Sequence, residues 1–569
     1  MNEFDAGLFL VFRGPLLKNC SPCDLRENEH SRIEAPVITM SKLRFAKLVS
    51  RDSFHTTSGP WRTGQTRKAE EDLHALLPNN PFVPPKGDIC FIKNLPPELL
   101  SRIFEVGSAE NDSEGGGAEE TDAIRSSAGP APWLSFQIVV SHVCRHWRNV
   151  AISAPFLWTR IDVTLEERPP YESVSTRLER SKGLPIDIYV NCDVKLPSDA
   201  DLGFLFPLLI LHVHRWRTVK VSVWEYRHMA EFLNAVSDPS IPAASQLTSL
   251  GLYYIERDEY DSFGVSKHPT LFGDSTPLLA RLVLWGVHVD WNQPWITSAS
   301  NLTGLELVFH AEDVRPSWAQ FASILRGASA LEKLSLRKSG PSGDPHEWFI
   351  KPTPGSPADL NAPVRLPHLT DLTLAFHSQA RAIGLLHKFC LPALKHLVLE
   401  FYNGNYTEFV HELAKPATSL SLPSAQEQPC SLLRNLKTLK IAGLPCLTEC
   451  VETLYSELEN LTSLSLSLWY LSDMFLVLTR PHNTWLPRLV TLYVSGTCSD
   501  AICEVVRKRK EAGVPLNSLY VEASCDMEDG VVEWLRENLE TFGFFEESDD
   551  QDMIDFDDED DEWVGYELM

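Results

Sequence analysis

The chain has 569 residues and is 43% hydrophobic with 15 tryptophans, so it can bury a large core and is not disordered throughout. Lys and Arg number 51 against 77 Asp and Glu, a net charge of −26, which argues against a general nucleic-acid binder because phosphate contacts need a basic footprint. Residues 1–88 mix Ser, Thr, Arg and Pro without a sustained period. They read as a poorly ordered leader and linker, closed by Asn79-Asn80-Pro81 and Pro84-Pro85. The opening MNEFDAGLFLVFRGPLL carries acids where a secretory signal needs a basic region. The longest strongly apolar uncharged run, Leu202 to His214, is shorter than the ~20 residues of a membrane span. No membrane and no secretion are therefore expected. The 12 cysteines form no framework, which fits a reducing compartment, cytoplasmic or nuclear. Cys20-Ser-Pro-Cys23 lacks the second pair that a zinc site needs.

Residues 89–162 form a compact apolar unit. Leu95-Pro96-Pro97-Glu98 is a helix start, since Pro fits the first turn and Glu98 suits the positive end of the helix dipole. Leu99, Leu100, Ile103 and Phe104 then fall at helical spacing. Residues 108–130, with six acids and four glycines, read as a flexible acidic insertion. Phe136, Val139, Val140, Val143, Trp147 and Val150 recur at three and four residues and predict one amphipathic helix. Ala154-Pro155 stops it, and Phe156-Leu157-Trp158 begins a short third element. His142, Cys144 and His146 cluster on this helix, and the two histidines share a face at i, i+4, but no further ligands to complete a metal site are apparent, so surface or helix-packing roles are expected rather than a metal.

From about residue 184 to 545 the chain is repetitive. The unit is L-x-x-L-x-L, and ten examples run from Leu247/Leu250/Leu252 to Leu516/Leu519/Val521. Nine steps cover 269 residues, about 30 each, with individual steps from 23 to 42. Trp216/Val219/Val221 is a degenerate earlier unit, and Ile186/Ile188/Val190 a strand opening the array. The last two leucines of a unit lie two apart and point to one side of a strand, while the residue between them points to the other. Stacked units predict parallel strands with helices or loops returning behind them, the pattern of irregular leucine-rich repeats. Segments beginning at Trp318, Arg381 and Ala501 fit the returning helices. Tyr253, Trp285, Glu306, Tyr493 and Tyr520 fall on the exposed strand face, where aromatic residues suit protein contacts, so they are candidate substrate-binding residues.

Residues 546–562 hold twelve acids among seventeen and no Lys or Arg. Such a block repels itself, so residues 546–569 read as an acidic disordered tail. Phe556, Trp563 and Tyr566 within or after it could anchor a basic partner. No Walker-type loop, G-x-S-x-G, H-E-x-x-H or G-x-G-x-x-G motif is present, so no catalytic residues, metal or cofactor are expected.

The strings ICFIKNLPPELLSRIFEVG and SHVCRHWRNVAISAPFLWTRID resemble the F-box as it occurs in mushroom-type fungi. The matching positions are Leu95, Pro96, Glu98, Leu99, Leu100, Ile103, Phe104, Val143, Cys144, Trp147, Arg148, Pro155, Leu157 and Trp158. RSKGLPIDIYV and HRWRTVKVSV are similar to the segment downstream of the F-box in that family, so the resemblance covers about 89–225. The acidic insertion between the strings departs from the pattern. The resemblance implies a small helical F-box followed by an irregular leucine-rich-repeat horseshoe with a parallel sheet, an α+β or α/β solenoid. It implies a non-catalytic subunit that binds a Skp-family adaptor, and through it a cullin–RING ubiquitin ligase, while the repeats select a protein substrate. Leu95, Pro96, Leu99, Ile103, Val143 and Cys144 are then the expected adaptor contacts, with Phe104, Trp147 and Trp158 leaning towards internal core. An interaction scaffold using the same helices outside ubiquitination is the alternative.

Overall fold

The computed structural model describes residues 95–113, 136–164, 169–192, 202–255, 271–349, 363–415, 431–467, 473–480, 485–525 and 527–546. The leader, the Cys20/Cys23 pair, residues 89–94, most of the acidic insertion and the tail beyond residue 546 lie outside them. The chain divides into two compact units between Thr159 and Arg160, with Thr176–Leu184 returning to the first unit.

The first unit is helical: α1 (Pro97–Ser113), α2 (Phe136–Val143) and α3 (Arg145–Ser153), followed by a single tight turn at Pro155–Trp158. α1 runs five residues beyond Ser108, where the composition begins the insertion. The single helix predicted over 136–150 is in fact two. Cys144 stands between them in an extended conformation, φ −156° and ψ 172°. Ser141 Oγ donates to the Ile138 carbonyl at 2.8 Å, a local bond of the kind that bends a helix. The periodicity survives the break because both halves bury the same side: Val140 from α2, and Trp147, Val150 and Ala151 from α3.

The second unit is a 14-stranded sheet in which every neighbouring pair is parallel and the strand order follows the chain. Its first strands are β1 (Arg160–Thr164), β2 (Ile186–Cys192), β3 (Trp216–Val223) and β4 (Ser249–Tyr254). β5 (Arg281–Trp285), β6 (Gly304–Val308) and β7 (Lys333–Arg337) follow. β8 (Val364–Arg365) and β10 (Phe389–Cys390) form a separate small pair flanking β9 (Asp371–Ala375) in sequence. β11 (His396–Phe401), β12 (Thr438–Gly443), β13 (Ser463–Ser467), β14 (Thr491–Ser495), β15 (Ser518–Glu522) and β16 (Thr541–Phe545) complete the set.

The ten repeats, the degenerate unit at Trp216 and the opening strand at Ile186 all form strands. Their middle leucines pair directly across the sheet from Leu250 through Leu282, Leu305, Leu334, Leu372, Leu397, Leu439, Leu464 and Leu492 to Leu519. Register is held because a slip of one residue would turn each apolar set to the opposite face. The first Leu of each unit, from Leu247 to Leu516, is buried just ahead of its strand. Helices at Trp318–Gly327, Gln379–Lys388 and Ser499–Glu511 match the three predicted returning segments.

Two strands of this sheet escaped the repeat pattern, as did the small β8–β10 pair. β1 begins the sheet at residue 160, before the expected start at 184 and inside the stretch assigned to the helical unit. It offers only Ile161 and Val163, without a leading Leu. β16 ends the described sheet with Phe542 and Phe544 in the two inward positions.

Candidate protein-docking helices and sheet face

In the helical unit, Leu100, Phe104, Val140, Trp147, Val150, Leu157 and Trp158 are sealed in one core. Phe104 meets Trp147 edge to face with ring centroids 5.0 Å apart and planes at 62°. Trp158 Nε1–H donates to the Ala151 carbonyl at 2.9 Å, and the Arg180 guanidinium lies 4.4 Å from the Trp158 ring centre. All three aromatics therefore sit inside, as the sequence leaned.

α1 carries two apolar stripes. Leu100 and Phe104 face the core. Leu99, Ile103 and Val106 follow the same helical spacing one position round, and Leu99 is 55% exposed. Ile103 is half-buried, Pro96 is exposed and Leu95 is half-buried. Val143 and Cys144, at the α2–α3 break, are also half-buried. Of the six expected adaptor contacts, Leu95, Pro96, Leu99 and Ile103 lie outside the sealed core, while Val143 and Cys144 pack against it. Val106 and Ile152 are further exposed apolar residues of this unit that were not among the expected contacts. Val106 extends the stripe of Leu99 and Ile103 at a spacing that the sequence already contained; nothing in the pattern marked Ile152.

On the sheet, Trp285, Glu306, Tyr493 and Tyr520 are half-buried on the face opposite the leucines. Tyr253 is corrected: it occupies the same face but is only 4% exposed. Its ring lies back over Gly251, where an added Cβ would meet the ring at 2.8 Å. The remaining aromatic candidates fall into two groups. Tyr493 and Tyr520 stack at 4.8 Å with planes 14° apart, and Phe545 meets Tyr493 edge-on.

The other group is a row of rings: Trp285 to Phe309 at 5.3 Å, Phe309 to Phe376 at 5.8 Å and Phe376 to Tyr402 at 5.7 Å. Phe309, Phe376 and Tyr402 lie just past their strands, where the alternation of strand faces no longer applies, and so escaped notice. Phe309 and Phe376 adopt positive φ, 49° and 57°, which is costly for bulky residues. Near this row the Arg337 guanidinium pairs with the Glu400 carboxylate at 2.5 Å, with both side chains largely shielded.

Beneath the row runs a buried polar ladder. His310, Ser339 and His377 stand three residues after the last Leu of their repeats, the place of Asn or Cys in the leucine-rich pattern. His310 Nδ1 and Ser339 Oγ are 2.8 Å apart, and His377 Nε2–H donates to the Leu336 carbonyl at 3.0 Å. The Tyr406 hydroxyl donates to the His377 carbonyl at 2.6 Å. Burial pushes both imidazoles down to about 3, so they are neutral hydrogen-bonding groups of the fold at physiological pH.

The described residues hold no group of three or more His, Cys, Asp or Glu able to take a metal, and no helix among them is long and apolar enough to cross a membrane. Their cysteines are free thiols.

No protein-family model and no curated protein matches the chain. Among solved structures, the crystal structure of a TLR13–ssRNA13 complex aligns at 15% identity with a TM-score of 0.27, covering 58% of this chain and 42% of that one. The chain thus spans under half the length of that neighbour. The strand pairing itself establishes the architecture: a leucine-rich-repeat-like solenoid built on a 14-stranded parallel sheet with helices.

Proposed function

We propose that the protein is an F-box substrate receptor, which binds a Skp-family adaptor through its helical unit and recruits a protein substrate to a cullin–RING ubiquitin ligase. The observation that carries this reading is the second apolar stripe of α1. A core of this size needs one buried stripe, and Leu99, Ile103 and Val106 form another that the unit leaves partly open to solvent. Val143 and Cys144 at the break between α2 and α3 pack against the core on one side and would offer only their half-open remainder to the adaptor.

The role is scaffolding. The receptor raises the effective concentration of a substrate lysine near a charged conjugating enzyme and needs no nucleophile, metal or cofactor of its own. The substrate would contact the sheet face that carries Trp285, Glu306, Tyr493 and Tyr520, supplemented by Phe309, Phe376 and Tyr402. The compartment on this reading is the cytoplasm or nucleus, where the ligase operates.

Affinity capture of the full chain under proteasome inhibition tests the proposal. Recovery of the adaptor and cullin, lost on Leu99→Asp with Ile103→Asp, supports it. Retention of the adaptor by that double variant sinks the assigned surface. Capture of the adaptor without cullin turns the reading towards a scaffold outside ubiquitination.

A further inference from the structure

The outward positions of β13 to β16 carry hydroxyls, rings, one glycine and a single charged group, Glu522. At the centre of this corner Tyr493 and Tyr520 stack at 4.8 Å, and Phe545 meets Tyr493 edge-on. The neighbours in register on either side are small: Ser465 beside Tyr493 and Gly543 beside Tyr520. Neither is large enough to cover a ring, and a Cβ added at Gly543 would meet the Tyr520 ring at 3.3 Å. The stack therefore keeps ring surface open on the sheet face, and both tyrosines remain partly exposed.

The charge at this corner has one sign. Glu522 follows Tyr520 by two residues on the same face of β15 and makes no ion pair with a described residue. The connections leaving the same ends of the strands add Asp500 after β14, Glu528 and Asp529 after β15, and Glu546 after β16. No Lys or Arg occurs between Ser495 and Arg507, or between Glu522 and Arg536. At the Trp285 row, by contrast, Arg337 and Glu400 neutralise each other. A cation is drawn both to the face of an aromatic ring and to a carboxylate. Two residues along a strand span about 7 Å, so one cationic head can touch the stack and reach Glu522. We propose that this corner binds a basic segment of the protein substrate, seating a Lys or Arg side chain against the Tyr493–Tyr520 stack and beside the Glu522 carboxylate. The inference rests on the reading of the sheet face as the substrate surface, and adds the class of segment that it takes. The surrounding acids steer such a segment towards the rings, so association weakens as salt screens them.

A fluorescein-labelled peptide of repeating Gly-Arg-Ser-Lys, and the same peptide with citrulline and acetyl-lysine in place of Arg and Lys, are titrated with the full chain by anisotropy. The basic peptide binds at least ~10-fold more tightly than the neutral one, and less so at higher salt. Tyr493→Ala with Tyr520→Ala weakens it about 10-fold, whereas Tyr493→Phe with Tyr520→Phe retains it, because the ring faces remain. Glu522→Lys also weakens it at least ~10-fold, and this single change carries the test should the alanine pair fail to fold by thermal unfolding. Equal binding of the two peptides overturns the proposal. So does binding of the basic peptide that Glu522→Lys leaves unchanged within about threefold, which would place the attraction in the acids of 546–562. Adaptor capture is the same in every folded variant. Its absence from the unmodified chain sinks the adaptor reading, whereas peptide binding indifferent to the corner sinks this one.

Discussion

The two stripes of α1 make a prediction that separates docking surface from core on a single helix. Leu99 is 55% exposed, whereas Leu100, its neighbour, is fully buried. Fully burying a leucine is worth roughly 1.5–3 kcal/mol, so covering the open half of Leu99 in an interface contributes about 1–1.5 kcal/mol, and half-buried Ile103 a little less. Leu99→Asp with Ile103→Asp removes both terms and leaves two carboxylates to be desolvated at the contact. The total loss is at least ~3 kcal/mol, which weakens the adaptor complex more than 100-fold. The isolated chain should hardly notice Leu99→Asp, an exposed change costing ~0.5 kcal/mol or less. Leu100→Ala inverts the pattern, costing ~2–5 kcal/mol of stability through the cavity it leaves. Calorimetric titration with the adaptor, paired with thermal unfolding of each variant, gives both readouts. An affinity unchanged within threefold for the double variant, with folding intact, would refute the assignment of this stripe. Unfolding by Leu99→Asp alone would refute the claim that it stands outside the core.

Three further outcomes are expected. His310 and His377 have folded-state values near 3, below the unfolded value near 6.5. The unfolded chain therefore takes up protons first. Their contribution to stability is complete above pH ~6.5 and is lost as pH falls towards 3, at up to ~1.4 kcal/mol per unit for each histidine. Urea midpoints at pH 7 and pH 5 measure this, and His377→Asn should flatten the slope; a slope unchanged by that variant contradicts the ladder. Gly443 has φ +76°, and an added Cβ would sit 2.2 Å from the Phe401 carbonyl oxygen, whereas Gly513, at φ +78°, faces open space. Gly443→Ala should accordingly cost several times the ~1 kcal/mol of Gly513→Ala, and equal denaturation midpoints would show the clash to be relieved. Finally, Tyr493→Ala with Tyr520→Ala, which removes a stacked pair on the sheet face, should reduce substrate capture without affecting adaptor binding; joint loss of both would point to misfolding instead.

The repeat was legible because it rests on one local rule. Leucines two apart share a strand face, and ten examples in order leave the sheet little choice of direction or register. The same locality explains what was missed. β1 carries only Ile161 and Val163, too short a signal to stand out. Phe309 and Phe376 lie past the strand ends in left-handed conformations, which no alternation reports. In the helical unit the spacing placed the apolar positions correctly but could not show the break at Cys144, because both halves keep the same buried side.

Sequence alone therefore determined the repeat strands and their parallel order, since each is dictated by the periodicity of neighbouring side chains, but not the boundary strand β1 or the return of Thr176–Leu184 to the helical unit. Only the folded chain decided which of two equally apolar stripes of α1 is sealed, that Tyr253 is covered while Trp285 is not, and that Phe544 at the last described strand stays open. Burial depends on what packs against a residue from elsewhere in the chain, and spacing along one segment carries no record of it.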